Sequence, residues 1–335
     1  MNNNYLEKLY HTNIPNIKLE DLPIGLFNGK MGLCMFYYMS EEEKDRKFAH
    51  QLLEDIYLCV NNETYDIDFK NGISGIAWGL IILVKNKCID GDINAVLHEI
   101  DDFIYNQIIF DWLVDNTKQK DDFVWLLVYY TERLPHIQDY DERIIIKKII
   151  IAIINHIEDT FQNVTYRITK NFAVENFIES IYAYALLEFY KQNIYKNKII
   201  KILENLTKQL TINFNDCQAN IFINIITIKE IGKYFKLSEN VYNNLEIINC
   251  DLEKIIKNNF KNRNIHLYDG LTGFILLVYT FDRTLLTENI INGVLNKIEK
   301  SFVWKDIVEP SNVSLYKGYT GILFIWRLLR KIKNI

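Results

Sequence analysis

The stretch Leu267-Tyr268-Asp269-Gly270-Leu271-Thr272-Gly273 is one of four copies of a glycine pattern that decides the fold. Each copy has an aromatic residue two or three positions before Gly-x-x-Gly and runs directly into an apolar segment. The other copies are 25–32 (GLFNGKMG), 69–75 (FKNGISG) and 315–321 (LYKGYTG). The first glycine permits an irregular turn or a close backbone approach. A second glycine one helical turn later lets neighbouring helices pack closely, so each copy predicts a loop that enters a buried helix.

The intervals between the copies predict a repeat. Gly29 and Gly72 are 43 residues apart, and Gly270 and Gly318 are 48 apart. The gap of 198 residues between Gly72 and Gly270 fits four such intervals, which places three eroded units near positions 121, 171 and 220. Apolar segments occur at all three places: 122–130, 176–187 and 220–228.

Amphipathic segments lie between the buried ones. In 43–60 and 93–108 the apolar residues recur every three or four positions, which is typical of an outer helix. Alternating buried and amphipathic helices indicate an inner and an outer ring. We therefore predict an all-α fold, an α/α toroid of seven helix pairs, formed by one domain over residues 1–335 with repeats from about 20 to 330. An open superhelix is the alternative.

Composition excludes several functional classes. The chain of 335 residues has 38 basic and 43 acidic residues and no long basic run, so we expect no nucleic-acid partner. No apolar run reaches the roughly 18 residues of a membrane span, and the first residues show no secretory signal. Five scattered cysteines without a CxxC pair fit a reducing compartment, which predicts a cytoplasmic protein.

The glycine repeats resemble the lanthionine synthetase C family. The segment NGISGIAWGL (71–80) is similar to that family's second repeat, and the other copies resemble its first, sixth and seventh repeats. The resemblance covers about residues 20–330. It implies a cyclase that adds a Cys thiol of a ribosomally made peptide to a dehydrated residue. Zinc in that family lowers the thiol pKa and is held by a Cys of the fifth repeat and a Cys-His pair of the sixth.

When these three zinc ligands are matched to this sequence, only the first is kept. Cys217 matches the first ligand, but Tyr268 and Asp269 stand where the Cys-His pair is expected. A phenol is a poor zinc ligand and Asp is a harder one than the thiolate and imidazole of that family, so we expect neither zinc nor another cofactor. A rebuilt set of Cys217, Asp269 and the nearby His266 is the alternative.

Further candidate residues follow from the same resemblance. Glu175 stands near the place of a His proposed as acid or base in the fourth repeat, and Asp122, or its neighbour Asp121, matches an Asp four residues before the glycine position of the third. The candidate catalytic residues are Asp122, Glu175 and Asp269, and the candidate substrate-binding residues are Cys217, Tyr268, His266 and Asp68. Carboxylates near helix starts also have an ordinary explanation, namely capping and the helix dipole. The aromatic residues before the glycines bind a ligand in one interpretation and wedge adjacent loops apart in the other.

Three functions remain open from the sequence. The first is a family member without the zinc cyclase site, which binds a precursor peptide or a peptide-modifying enzyme. The second is an active thioether-forming cyclase that uses carboxylates as acid and base or a rebuilt zinc site. The third is a glycan-active toroid enzyme with paired carboxylates.

Overall fold

A computed structural model describes residues 20, 22–62, 65–113, 118–161, 174–210, 218–239, 241, 245, 250–261, 264–305 and 313–333. This part of the chain is all-helical, with thirteen α-helices, short 3-10 and π-helical turns and no strand. No helix in it has the length and apolar character needed to cross a membrane. The all-α prediction is confirmed, and the closed ring of seven helix pairs stays a prediction.

The described residues form two compact units. The first unit contains the described residues from 20 to 161 together with 313–315. The second unit contains those from 174 to 305 together with 316–333. A single domain that spans both units stays a prediction.

In its described residues the first unit has six α-helices, one π-helical turn and the 3-10 turn Leu134–His136. The α-helices are α1 (Lys30–Tyr38), α2 (Glu43–Asn62), α3 (Ile73–Lys85), α4 (Ile93–Gln107), α5 (Lys120–Arg133) and α6 (Tyr140–Phe161). The π-helical turn Ile108–Trp112 directly continues α4.

The second unit is built from seven α-helices in its described residues. They are α7 (Val174–Lys191), α8 (Lys196–Leu210), α9 (Ala219–Gly232), α10 (Leu252–Asn259), α11 (Leu271–Phe281), α12 (Glu288–Glu299) and α13 (Tyr319–Lys333).

Buried and amphipathic helices alternate in both units. All nine residues of α1 are buried, because this helix is apolar on every side. By contrast, α8 buries only one stripe, with residues spaced by three or four. Within the first unit α1 packs on α2 and α3, and α3 packs on α4 and α5. Within the second unit α9 packs on α7, α8 and α11. The three apolar segments predicted for the eroded units lie in α5, α7 and α9, so their helical nature is confirmed.

A buried charged network fastens α4 to α5 and α6. The side chain of Arg133 is fully buried, and its Nε donates to Asp101 Oδ2 over 2.6 Å. Its remaining nitrogens donate to Asn94 Oδ1 (2.7 Å) and Glu142 Oε1 (3.0 Å), and the Tyr129 hydroxyl donates to the second oxygen of Asp101. Burial raises the pKa of Asp101, and the Arg133 charge opposes that rise. Such a network stabilises a fold only while every member is present.

The cysteines are not all in one state. Cys34, Cys59 and Cys88 are free thiols, whereas Cys250 is disulfide-bonded. The scattered spacing of the cysteines did not predict this bond. The cytoplasmic location stays a prediction.

Candidate functional site

The loops before α1, α3 and α11 share one backbone hydrogen-bond pattern. In each loop the residue after the first glycine donates its N–H to the carbonyl seven residues earlier. The pairs are Lys30 to Pro23 (2.8 Å), Ile73 to Asp66 (3.0 Å) and Leu271 to Asn264 (3.1 Å). One position further on, the hydroxyls of Ser74 and Thr272 donate to the carbonyls of Ile67 and Ile265 over 2.7 and 2.8 Å. The glycine pattern therefore encodes one backbone hydrogen bond in all three loops, and the hydroxyl bond is added in the two copies that carry Ser or Thr.

The glycines are required for close approach and not for an unusual backbone angle. No described glycine has a positive φ. A Cβ at Gly72 would lie 2.1 Å from the Asp66 carbonyl oxygen, and one at Gly75 would lie 2.0 Å from the Phe69 carbonyl oxygen. The expectation that the second glycine serves close packing of neighbouring helices is therefore corrected, because its nearest contact is the carbonyl of its own loop.

Neighbouring loops are joined by a second repeated bond. In the first unit the Phe27 N–H donates to the Lys70 carbonyl over 2.7 Å. In the second unit the Tyr268 N–H donates to the Tyr316 carbonyl over 3.0 Å. All four residues stand two positions before the first glycine of their copies. In the second unit this bond brings the equivalent rings of Tyr268 and Tyr316 together, whereas in the first unit the ring of Phe27 contacts Phe69.

In the first unit these loops enclose an aromatic cluster. The ring of Trp125, on α5, stacks on Phe69 with centroids 5.3 Å apart and meets Phe27 edge-on at 4.9 Å. Phe27 and Phe69 themselves are 5.7 Å apart and both are buried. Aromatic pairs in this geometry stabilise the contact beyond the area that they bury. The two buried Phe rings therefore pack neighbouring loops against each other and are not accessible to a ligand.

A charged cluster lies beside the aromatic one. The Lys70 Nζ is 2.6 Å from Asp121 Oδ2 and 3.1 Å from Asp122 Oδ1. Lys118 forms a further ion pair with Asp66 over 3.0 Å. Burial alone would lower the pKa of Lys70, but the hydrogen bond to Asp121 and the charges of both carboxylates outweigh it and raise that pKa. These half-buried ion pairs connect the loop before α3 to the start of α5.

Asp68 lies in the same cluster, and the pKa of its carboxyl is raised. Its Oδ1 accepts the backbone N–H groups of Lys70 and Asn71, both over 2.8 Å. Burial raises the pKa of Asp68, these two N–H groups oppose the rise, and the neighbouring carboxylates of Asp66 and Asp122 add to it. Asp68 is thus easier to protonate than an exposed Asp, which is the property that a general acid needs.

The structure corrects the alignment of Asp122. Gln119 is the N-cap of α5 and has the same extended backbone as Gly72 at the start of α3. Asp122 is the third helical residue, where the intact copies carry their second glycine, and its Oδ2 accepts the Gln119 N–H over 3.0 Å. Asp122 and Asp121 therefore do not stand four residues before a glycine position. That position is residue 115, outside the described residues. The geometry supports the capping explanation for Asp122, and its catalytic role stays a prediction.

In the second unit the loops before α11 and α13 bring polar and aromatic groups together. The rings of Tyr268 and Tyr316 meet edge-on with centroids 4.3 Å apart. The Lys317 ammonium lies 4.7 Å from the centre of the Tyr268 ring. Tyr268 is partly exposed, and Asp269 and Lys317 are exposed. This loop pair therefore offers an aromatic face, a carboxylate and an ammonium group to a partner.

His266 lies behind this exposed group. Burial lowers the pKa of His266, against the Asp269 carboxylate and a hydrogen bond with the Gly318 backbone, which both raise it. The imidazole is therefore neutral at pH 7. Its Nδ1 is buried and has no hydrogen-bond partner within the described part of the chain.

The structure describes the remaining predicted site residues only in part. Cys217 lies outside the described residues, and so does the side chain of Glu175, whose backbone is in α7. Asp122 belongs to the first unit and Asp269 to the second, so the convergence of the three candidate acids stays a prediction. Within the described ranges no three His, Cys, Asp or Glu side chains form a group that could hold a metal ion.

Sequence reasoning missed the lysines and the tryptophan of the first unit. Lys70 and Lys118 pair with carboxylates about fifty residues away, and no local pattern reports such a distance. One signal was available. At two positions before the first glycine, three copies carry Phe27, Tyr268 and Tyr316, but the second copy carries Lys70. A charge in an aromatic position marks a place where the site differs between repeats.

No family model matches the chain, and no curated protein matches it significantly.

Proposed function

We propose that this chain is a lanthionine synthetase C-like protein of a ribosomal-peptide modification pathway that binds a precursor peptide or a partner enzyme and lacks the zinc cyclase site. One observation carries the proposal. The glycine loops keep a common hydrogen-bond structure in both units, while the residues that would hold zinc in the sixth loop are replaced. A protein that keeps such a scaffold and loses its metal ligands is suited to binding.

The residues of the sixth loop do not fit a zinc ion. Tyr268 and Asp269 stand at the two ligand positions, and the Tyr268 ring is covered by Tyr316 on one side. The Lys317 ammonium, 4.7 Å from that ring, adds a positive charge that repels a dication. Structural and catalytic zinc sites use thiolate, imidazole and carboxylate ligands, and one exposed carboxylate is not enough. We therefore derive no step through a metal at this loop.

The same residues fit a peptide. The partly exposed Tyr268 ring offers apolar contact area and a hydroxyl at little conformational cost. Asp269 and Lys317 offer one negative and one positive group at the edge. An aromatic anchor with charged groups around it is the usual composition of a protein interface.

Calorimetric titration of the full chain tests the proposal. The titrants are the precursor peptide and the modifying enzymes encoded beside its gene. We expect one of them to bind, and we expect Tyr268→Ala and Lys317→Ala to weaken that binding by about tenfold each. Tyr140→Ala is the matched control, because Tyr140 is a 75% exposed aromatic residue of the first unit. The absence of binding to every such titrant would overturn the proposal.

A second candidate is an active cyclase or related lyase without a metal. The raised pKa of Asp68 favours it, because this carboxyl can hold a proton that an exposed Asp would release. Separately, the sequence expectation that Asp269 acts as an acid or base can be tested within its own unit. Asp269→Asn should then abolish turnover without unfolding the protein, since Asp269 is exposed. Unchanged turnover in that variant would exclude this role.

A further inference from the structure

The outward side of α4 carries exposed apolar residues among its polar ones, which an ordinary solvent-facing side of an amphipathic helix does not need. Val96, Phe103 and Phe110 are 53%, 36% and 71% exposed. Val96 and Phe103 are seven residues apart and so lie on one side of α4, and Phe110 lies seven residues further on, in the π-helical turn that continues the helix. These three residues form the apolar line, which extends over roughly 21 Å at the α-helical rise of about 1.5 Å per residue. Exposed apolar residues at heptad spacing form the pattern that one helix presents to another.

Negative charge accompanies this apolar line. Glu99, Asp102 and Asp111 are exposed on the same segment. Residues 88–113 contain no lysine or arginine, and the only basic side chain among them is His98. The line of apolar residues therefore has acidic neighbours along its whole length.

The segment that carries this surface is held rigidly in the unit. Asp101 and Asn94 point inward and bond to the buried Arg133 of α5 over 2.6 and 2.7 Å. In the π-helical turn, Ile108 and Trp112 are buried while Phe110 is turned outward. Single π-helical turns are rare and occur often at functional sites. A preorganised surface loses little entropy when a partner binds to it.

We infer that this surface, formed by Val96, Glu99, Asp102, Phe103 and Phe110 and here called the α4 face, is a docking site for a basic amphipathic helix of a partner protein. The apolar line fits the apolar stripe of such a helix, and its lysines or arginines pair with the acidic edge. A second α4 face and an anionic membrane are both negatively charged, so the acidic edge repels them. The inference does not depend on the proposed function, and either can fail while the other holds.

Two designed peptides test the inference on the full chain. Both are amphipathic helices of about 21 residues with the same apolar stripe, one flanked by lysines and the other by glutamates. Fluorescence anisotropy should show saturable binding of the lysine peptide at least tenfold tighter than binding of the glutamate peptide. Binding of the lysine peptide should weaken as salt is raised, because its charged part is exposed.

Three variants locate the binding site. Phe103→Gln combined with Phe110→Gln, and separately Glu99→Lys combined with Asp102→Lys, should each weaken the lysine peptide by at least tenfold. The charge variant should also improve binding of the glutamate peptide. Tyr140→Gln removes an aromatic residue of α6 that is as exposed as Phe110 and should change neither affinity. All substituted residues are exposed, so circular dichroism should show intact folding.

Three results would overturn the inference. The first is equal affinity for the two peptides, and the second is unchanged affinity in the Phe103/Phe110 variant. The third is self-association of the chain that the same variant abolishes in light scattering, because the α4 face would then be covered by a second copy.

Discussion

Gly273→Ala should destabilise the chain, whereas Gly293→Ala should not, although both glycines lie in helices of the second unit. Gly273 is the third residue of α11, and a Cβ there would lie 2.0 Å from the Leu267 carbonyl oxygen. Real Cβ atoms essentially never approach a heavy atom closer than 3.0 Å, so the loop has to move by about 1 Å. Gly293 lies in α12, and a Cβ there has no atom within 4 Å.

The magnitude follows from what the moving loop carries. The bond from the Leu271 N–H to Asn264 (3.1 Å) and the bond from the Thr272 hydroxyl to Ile265 (2.8 Å) both close this turn. Forcing an extra carbon into a packed site costs about 1–3 kcal/mol, and each lost hydrogen bond adds about 0.5–1.5 kcal/mol. If both bonds are lost, Gly273→Ala should lower the free energy of unfolding by about 2–6 kcal/mol. Gly293→Ala should raise it by about 0.5–1 kcal/mol, because Ala is the better helix former.

Urea unfolding followed by far-ultraviolet circular dichroism measures both effects. A lower midpoint with an unchanged slope reports lost stability and not an altered denatured state. The two variants should shift the midpoint in opposite directions. A Gly273→Ala protein as stable as the wild type would refute the close approach between this glycine and its loop, and so would an equal destabilisation by Gly293→Ala.

Three further predictions concern charge and metal. Arg133→Met should lower the free energy of unfolding by about 3–5 kcal/mol, because Asp101 stays buried without its cation. Adding Asp101→Asn should restore part of this loss in urea titrations. An unchanged urea midpoint for the single variant would contradict the prediction. The pKa of His266 is lowered in the folded protein, so on acidification the unfolded chain binds a proton at a higher pH than the folded one. Stability should therefore fall as the pH drops below about 6.5. His266→Gln should reduce that fall, and a pH profile of urea midpoints identical to that of the wild type would contradict the prediction. Elemental mass spectrometry should find no stoichiometric zinc in the purified chain, and about one zinc per chain that disappears in Cys217→Ala would show a rebuilt site.

The regular part of the fold was predictable because its cause is local. Gly-x-x-Gly followed by an apolar segment predicts a loop and a buried helix, and α3 and α11 begin one residue after the first glycine of their copies. Apolar residues spaced by three and four predicted α2 and α4 to within two residues at each end. The repeat interval was enough to locate α5 and α9 without any glycine at their starts.

The site was harder to predict because the residues that contact each other are far apart in the sequence, and because the glycines that mark a repeat are missing from the third unit. In the third unit both glycines are absent, so the sequence did not show that Asp122 is the third residue of α5. The pairs between Lys70 and Asp121 and between Arg133 and Asp101 join residues 51 and 32 positions apart, which no periodicity reveals. The segment 93–108 was correctly identified as amphipathic, but periodicity does not show that Phe103 on its outer side is left exposed.

Thioether formation separates a binding protein from a cyclase most directly. The full chain is mixed with added zinc and the dehydrated precursor peptide encoded beside its gene. The peptide is then alkylated, and mass spectrometry counts the Cys thiols that the alkylating reagent still labels. We predict that the peptide binds and keeps all its thiols, as it does in a sample without the protein. Loss of alkylable thiols over many turnovers, dependent on the protein, would contradict the proposed function and show an active cyclase.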